Sequence, residues 1–149
     1  YTTLFRSSHL AQAIGHEAAR RGLDVIVFKT HKLLEKLAPD RLSGKRSQLL
    51  VKRCIDAGLL ILDDFAFRPY SQLETELLYT LSDERLTEGS IIVTSNRPPE
   101  DWFAVFPDPI VGGAIMDRLV SGAVKLIVTS GRSYRKEGGR HNEPQAISA

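Results

Sequence analysis

The sequence predicts an α/β protein built on a parallel sheet layered with helices. Three observations carry that expectation. Residues 59–64, Leu-Leu-Ile-Leu-Asp-Asp, set four aliphatic side chains in succession, the pattern of a strand buried on both faces, and end in two adjacent carboxylates. Ile91-Ile92-Val93-Thr94-Ser95-Asn96 repeats the design, apolar first and polar at its C-terminal end. Around these runs, stretches of helical spacing alternate with short apolar runs, an order that calls for crossover connections and hence parallel strands.

Each element follows from local chemistry. Leu10, Ile14 and Ala18 fall four apart and Gly22 stands where a C-terminal cap belongs, so residues 9–21 are expected to be helical. Asp24 to Phe28 reads as a short buried strand, and residues 31–37 as a helix that stops ahead of Pro39. From Lys45 to Ala57, Leu50, Val51, Cys54, Ile55 and Ala57 gather on one arc of a helical wheel, with Lys45, Arg46, Lys52 and Arg53 on the other. A loop from Phe65 to Tyr70 contains Pro69. Ser71-Gln-Leu-Glu74 then matches a capping box, opening a helix to about Leu86 whose buried face is Leu73, Leu77, Leu78 and Leu81. Ser90 to Thr94 is the next strand. Pro98-Pro99, Pro107 and Pro109 mark a long connection, residues 110–119 are helical, and Lys125 to Thr129 is a final strand. Gly138-Gly139 opens a polar tail, residues 138–149, expected to be flexible.

A chain of 149 residues suits one domain, and its 42% hydrophobic and 26% charged content is that of a globular protein. The single cysteine, Cys54, excludes an internal disulfide and suits a reducing compartment. The longest apolar run, Ala57 to Leu62, is too short to cross a bilayer, and no basic-then-apolar leader opens the chain. A cytoplasmic location with no membrane partner is the expectation. A formal net charge of +2 does not by itself imply a polyanionic partner.

The chemistry concentrates at strand ends. A buried carboxylate is costly unless compensated, and the carboxyl edge of a parallel sheet is where such proteins place ligands. Asp63 and Asp64 suit the second signature of a P-loop ATPase. Asp63 would bind Mg²⁺ through its water shell, and Asp64 would orient the water that attacks the γ-phosphate. The alternative is that the two carboxylates cap a loop or a helix N-terminus. Asn96, at the tip of the neighbouring strand, suits a group that senses the γ-phosphate, though Thr94 to Pro98 is also turn chemistry. Arg118 would reach a neighbouring subunit's nucleotide, or pair with Asp117 or another acid. Arg135 would touch phosphate from its own subunit, or remain solvated. Lys45, Arg46, Lys52 and Arg53 make a face for DNA phosphates, or a plain solvated face. His9, His16, His31 and His141 show no metal-ligand spacing with Cys54, and Trp102 beside Phe103 reads as packing.

A P-loop requires Gly-x-x-x-x-Gly-Lys-Ser/Thr, whose backbone N–H groups and lysine hold the phosphates. Ser8 stands where the last residue of that motif belongs, but Leu4-Phe5-Arg6-Ser7 ahead of it contain neither glycine nor lysine. Residues 1–7 are therefore read as a non-native leader and 8–137 as a partial ATPase domain.

Ser8-His-Leu-Ala-Gln-Ala-Ile-Gly15, Leu59 to Asp64, Thr94-Ser95-Asn96, Trp102 with Phe106 and Asp108-Pro109, Ala114 to Leu119, and Gly131-Arg-Ser-Tyr-Arg135 together resemble the IstB-like ATPases. These are helpers of insertion-sequence transposition, related to DnaC helicase loaders and DnaA initiators within the AAA+ class. The resemblance implies a P-loop NTPase of AAA+ type, a three-layer sandwich whose sheet runs 5-1-4-3-2, here lacking the P-loop strand. It implies ATP and Mg²⁺ as cofactors. As partners it implies double-stranded DNA, a transposase, and further copies of the chain in an ATP-dependent oligomer. By family pattern Ser8 and Asp63 would hold Mg²⁺ and Asp64 would be catalytic, where most such ATPases place the longer Glu. Asn96 would be the first sensor, Arg118 the trans-acting arginine finger and Arg135 a second sensor. Without the P-loop strand, Lys125–Thr129 would lack a neighbour and the chain would be less stable than an intact parent. A DnaC-like helicase loader or replication-initiation ATPase, and a non-catalytic DNA- or protein-binding fragment, are the alternatives.

Overall fold

The computed structural model describes residues 6–37, 44–121 and 123–127. Three strands, β1 (Val25–Lys29), β2 (Leu59–Asp63) and β3 (Ser90–Val93), form one parallel sheet in the order β1-β2-β3. The register runs from Val25 opposite Leu59 to Lys29 opposite Asp63, and from Leu59 opposite Ser90 to Leu62 opposite Val93. All three strands therefore deliver their C-terminal ends to the same edge. The helices are α1 (Arg6–Arg20), α2 (Thr30–Lys36), α3 (Lys45–Asp56), α4 (Gln72–Glu88) and α5 (Pro109–Val120), with a 3₁₀ helix at Pro99–Val105 between β3 and α5.

β2 is buried along its whole length, as its unbroken aliphatic run requires. Alternate side chains point to opposite faces. Leu60 and Leu62 join the main core with Leu33, Leu34, Cys54, Leu78, Leu81 and Ile115, while Leu59 and Ile61 meet Ala11 of α1 on the other side. Helices thus cover both faces, which gives the three layers expected. The capping box at the start of α4 is complete: Glu74 N–H donates to the Ser71 hydroxyl, and Ser71 N–H donates to the Glu74 carboxylate. Asp108 caps α5 from one side only, its carboxylate accepting from the N–H groups of Ile110 and Val111.

Two expectations, for the strands at Asp24–Phe28 and Lys125–Thr129, are corrected, and α1 sits on the sheet in a way spacing did not indicate. The strand at Asp24–Phe28 is only partly buried: Ile26 is in the core, but Val27 is 44% exposed, because β1 lies at the edge of the sheet. α1 does not bury its large residues, since Leu10 and Ile14 are 40% and 39% exposed. It crosses the sheet on small ones instead. Gly15 sits so close that an added Cβ would lie 2.9 Å from Ile61 Cδ1, and this close seat on Ala11 and Gly15 turns Leu10 and Ile14 outward. Finally, Lys125–Ile127 is exposed and not in a strand, with no described strand beside it to pair with; the rest of that predicted strand, residues 128–129, lies outside the described residues.

α1 starts at Arg6, earlier than the spacing indicated, and Gly22 follows it with φ +87°, the left-handed cap expected there. Arg6 and Ser7, read as leader, belong to this helix; residues 1–5, Arg135 and the tail at 138–149 lie outside the described residues. No helix among the described residues is long and apolar enough to cross a membrane.

Cys54 is fully buried on the inner face of α3, and burial pushes its thiol up to about 11. Thiolate, the reactive form, is then roughly a hundredfold scarcer at pH 8 than in an exposed cysteine. Native protein is expected to resist iodoacetamide under conditions that fully alkylate the urea-unfolded chain, as read by intact mass. Equal rates in the two states would show that the core around Cys54 opens readily.

Candidate functional site at the carboxyl edge of the sheet

The C-terminal ends of β1, β2 and β3 bring Lys29, Asp63, Asp64 and Thr94 together with Ser8 from α1. Asp63 is only 6% exposed, and its Oδ1 accepts two hydroxyl donors: Ser8 Oγ at 2.6 Å and Thr94 Oγ1. On the far side, the Thr30 hydroxyl donates to the Asp63 carbonyl at 2.9 Å. Two hydroxyl groups compensate this carboxylate, and its neighbour is arranged differently. Asp64 is partly exposed, and its Oδ2 lies 3.0 Å from Lys29 Nζ.

The backbone here bends sharply. Asp64 and Ala66 have φ of 55° and 58°, the left-handed region that residues other than glycine seldom enter and that costs about 1 kcal/mol or more per residue. Both turns are braced. Asp64 N–H donates to Thr94 Oγ1 at 3.2 Å, and Phe65 N–H to the Thr94 carbonyl at 2.8 Å. Ala66 N–H donates to the Tyr70 hydroxyl at 2.8 Å, and burial pushes that phenol up to about 12, so it stays protonated. Phe65 anchors the loop from below, its ring 4.8 Å from Trp102 and 6.4 Å from Phe106. Arg68 forks onto Glu74 at 2.7 and 2.9 Å and holds that carboxyl below its usual range.

Ser8, Asp63 and Asp64, which only the family resemblance groups, are therefore brought together at this edge. Asn96 lies two residues beyond Thr94 on the same edge, exposed, in a loop fixed by Ser95 Oγ donating to the Phe65 carbonyl at 2.7 Å. Trp102 packs, as expected, and its indole N–H donates to the Arg97 carbonyl. Arg118 is not brought to this edge. It bridges α5 to α4, with Nε and Nη2 on Asp83 Oδ1 at 2.9 and 2.6 Å and its guanidinium 4.7 Å from the Tyr79 ring centre. This is the ion pair with another acid that the sequence left open, with Asp83 as the acid. Lys45, Arg46, Lys52 and Arg53 are all exposed on α3, and Lys52 is paired with Asp56 at 2.8 Å.

Sequence reasoning missed two residues of the site. Lys29 closes β1 directly opposite Asp63 and one position from Asp64, but that proximity depends on strand order, which periodicity does not carry. Thr94 was seen as the end of a strand and not as a partner of Asp63.

Residues 6–142 match the family model described as IstB-like ATP binding protein. A Mycobacterium tuberculosis protein named for ATP binding in an insertion sequence is 40% identical over 139 residues, which is 89% of this chain and 53% of that protein. A counterpart named from insertion sequence IS232 of Bacillus thuringiensis is 32% identical over 128 residues, 86% of this chain and 50% of its own length. The chain thus spans about half the length of these curated relatives. Among solved structures, DnaA from Aquifex aeolicus bound to AMPPCP superposes with a TM-score of 0.62 at 25% identity, over 72% of this chain and 34% of that one. The parallel sheet flanked by helices is accordingly the AAA+ type of P-loop NTPase fold. By the match across residues 6–142, the chain belongs to the IstB-like ATP binding protein family.

Proposed function

We propose that the chain acts in DNA transposition as an ATP-dependent helper that oligomerises on double-stranded DNA and recruits the transposase. The observation that carries this reading is the convergence of Ser8 and Thr94 on one oxygen of Asp63, with Asp64 beside it, in a member of this family. A serine hydroxyl and a carboxylate oxygen 2.6 Å apart are hard donors that suit Mg²⁺, which keeps most of its remaining positions for water and phosphate oxygen. Ser8 and Asp63 would hold that ion. Asp64 would orient a water, Asn96 would sense the terminal phosphate, and Arg135 would contact phosphate from the same subunit. Arg118 would serve a neighbouring subunit after leaving Asp83. Lys45, Arg46, Lys52 and Arg53 would face DNA. The triphosphate cradle does not fit equally well, because Leu4-Phe5-Arg6-Ser7 provide neither glycine nor lysine.

That mismatch favours one second reading, a domain that retains DNA or protein partners without turning over ATP. The two are separated by comparing the chain with a version carrying a strand and Gly-x-x-x-x-Gly-Lys in place of residues 1–7. The restored version is expected to bind and hydrolyse ATP in the presence of Mg²⁺ and double-stranded DNA, while the chain itself hydrolyses poorly. A charge-reversed K45E/R46E/R53E variant should weaken DNA retention and flatten its salt dependence, by a slope of roughly one per lost phosphate contact. A restored, folded chain that neither binds nor hydrolyses ATP removes the ATPase reading. Capture of a replicative helicase instead of a transposase would move the function to helicase loading.

A further inference from the structure

We propose that Thr94 is a positioning residue for the Asp63–Asp64 pair, acting through one hydroxyl that serves both acids at once. This rests on the reading of that pair as facing magnesium and water. Thr94 directly follows β3, beside the tip of β2, and is buried. A hydroxyl has one proton to give and two lone pairs to accept with. Thr94 Oγ1 gives its proton to Asp63 Oδ1 and accepts the backbone N–H of Asp64 at 3.2 Å. The main chain of the same residue is engaged as well: its N–H donates to the Leu62 carbonyl at 3.0 Å, and its carbonyl accepts from Phe65 N–H at 2.8 Å.

The consequence is geometric. Asp64 sits at φ 55°, a conformation an aspartate holds only where its surroundings supply contacts that repay the strain. Three successive residues after Leu62 are tied to Thr94: Asp63 by its side chain, Asp64 by its N–H, and Phe65 by its N–H. The first carboxylate is thereby turned toward Ser8 and the second away from it, toward Lys29. Two adjacent acids thus point to different tasks. Ser8 shares the Asp63 oxygen but does not touch Asp64, so the two hydroxyls have separable roles.

The test uses the chain as it is, by amide hydrogen exchange resolved by NMR, in Thr94→Val, Thr94→Ser and Ser8→Ala. Valine keeps the branched shape and removes the hydroxyl; serine keeps the hydroxyl. Thr94→Val is expected to speed exchange at Asp64 N–H about tenfold relative to Leu60 and Ile61 within β2. Thr94→Ser should restore the slow rate, and Ser8→Ala should leave Asp64 unchanged. A uniform rise across β2 in Thr94→Val, or no rise at Asp64, overturns the proposal, as does failure of serine to rescue. Should Thr94→Val not fold, Thr94→Ala read against Thr94→Ser decides by the same ratio. In the version restored with Gly-x-x-x-x-Gly-Lys, Thr94→Val should lower kcat at least tenfold with KM changed less than twofold. Absence of all hydrolysis there would count against the ATPase reading, while the exchange pattern still decides the role of Thr94.

Discussion

Asp64→Asn, in the chain restored with Gly-x-x-x-x-Gly-Lys, is expected to lower ATP turnover by about 10² to 10⁴ and to leave nucleotide affinity within a factor of about three. The substitution removes charge and little else. Asparagine is nearly isosteric with aspartate and tolerates the left-handed backbone at φ 55° better than other residues do. The bond from Asp64 N–H to Thr94 Oγ1 involves only main chain on the Asp64 side and so survives. The pair with Lys29 is lost, but with side chains 58% and 29% exposed it contributes at most about 1 kcal/mol. Stability should therefore hardly move while catalysis collapses. Steady-state hydrolysis together with fluorescent-nucleotide titration checks this. Turnover within threefold of the parent would take Asp64 out of the proposed chemistry.

What could be read from the sequence was local. The β2 run, its terminal acids, the capping box at Ser71 and the turn at Gly22 are each specified by neighbours a few residues away, and each stands where spacing placed it. What escaped depends on distant parts of the chain meeting. Strand order makes β1 an edge, and no periodicity within Asp24–Phe28 contains that. In α1 the spacing of Leu10, Ile14 and Ala18 told that the segment is helical but not which face meets the sheet, because helix and sheet meet on Ala11 and Gly15, and small residues carry little weight in a hydrophobic pattern. The partner of Arg118 stands 35 positions earlier, on another helix. Ser8 and Asp63 were paired across 55 residues only because a family pattern implied it; their contact at 2.6 Å supplies what spacing did not.

Arg85 is the largest such omission, and replacing it should cost more stability than any surface change. It is 1% exposed and has no acid beside it among its hydrogen-bond partners. Its Nη1 donates to the carbonyls of Cys54, Ile55 and Ala57 at 2.8, 2.8 and 2.7 Å, and its Nη2 to the carbonyl of Ser90 at 2.7 Å. The first three are the orphan carbonyls at the end of α3, where the helix dipole favours a cation. One side chain of α4 thus joins the end of α3 to the start of β3. Burial pulls its guanidinium below the usual value, the direction expected of a charge kept from water. Arg85→Met keeps the bulk but leaves four carbonyls without this donor. At about 1–3 kcal/mol for each acceptor left dry, partly offset by no longer burying a charge, the loss should be about 3–5 kcal/mol. That is about a fifth or more of the stability of an ordinary domain. Urea unfolding should show a lower midpoint with an unchanged slope. Gly89 provides an independent check. Its φ of 173° is ordinary extended backbone, so only space restricts it, and an added Cβ would lie 2.7 Å from Arg85 Nη2 and 2.9 and 3.2 Å from the carbonyl oxygens of Ala57 and Gly58. Gly89→Ala should therefore destabilise the parent by about 1–3 kcal/mol. In the Arg85→Met background the share of that cost owed to the guanidinium should vanish while the share owed to the Ala57 and Gly58 carbonyls stays, and the difference measures the coupling. Additive losses, or an Arg85→Met cost under about 1 kcal/mol, would mean that water replaces this guanidinium without penalty and that α3 and β3 are joined by other contacts.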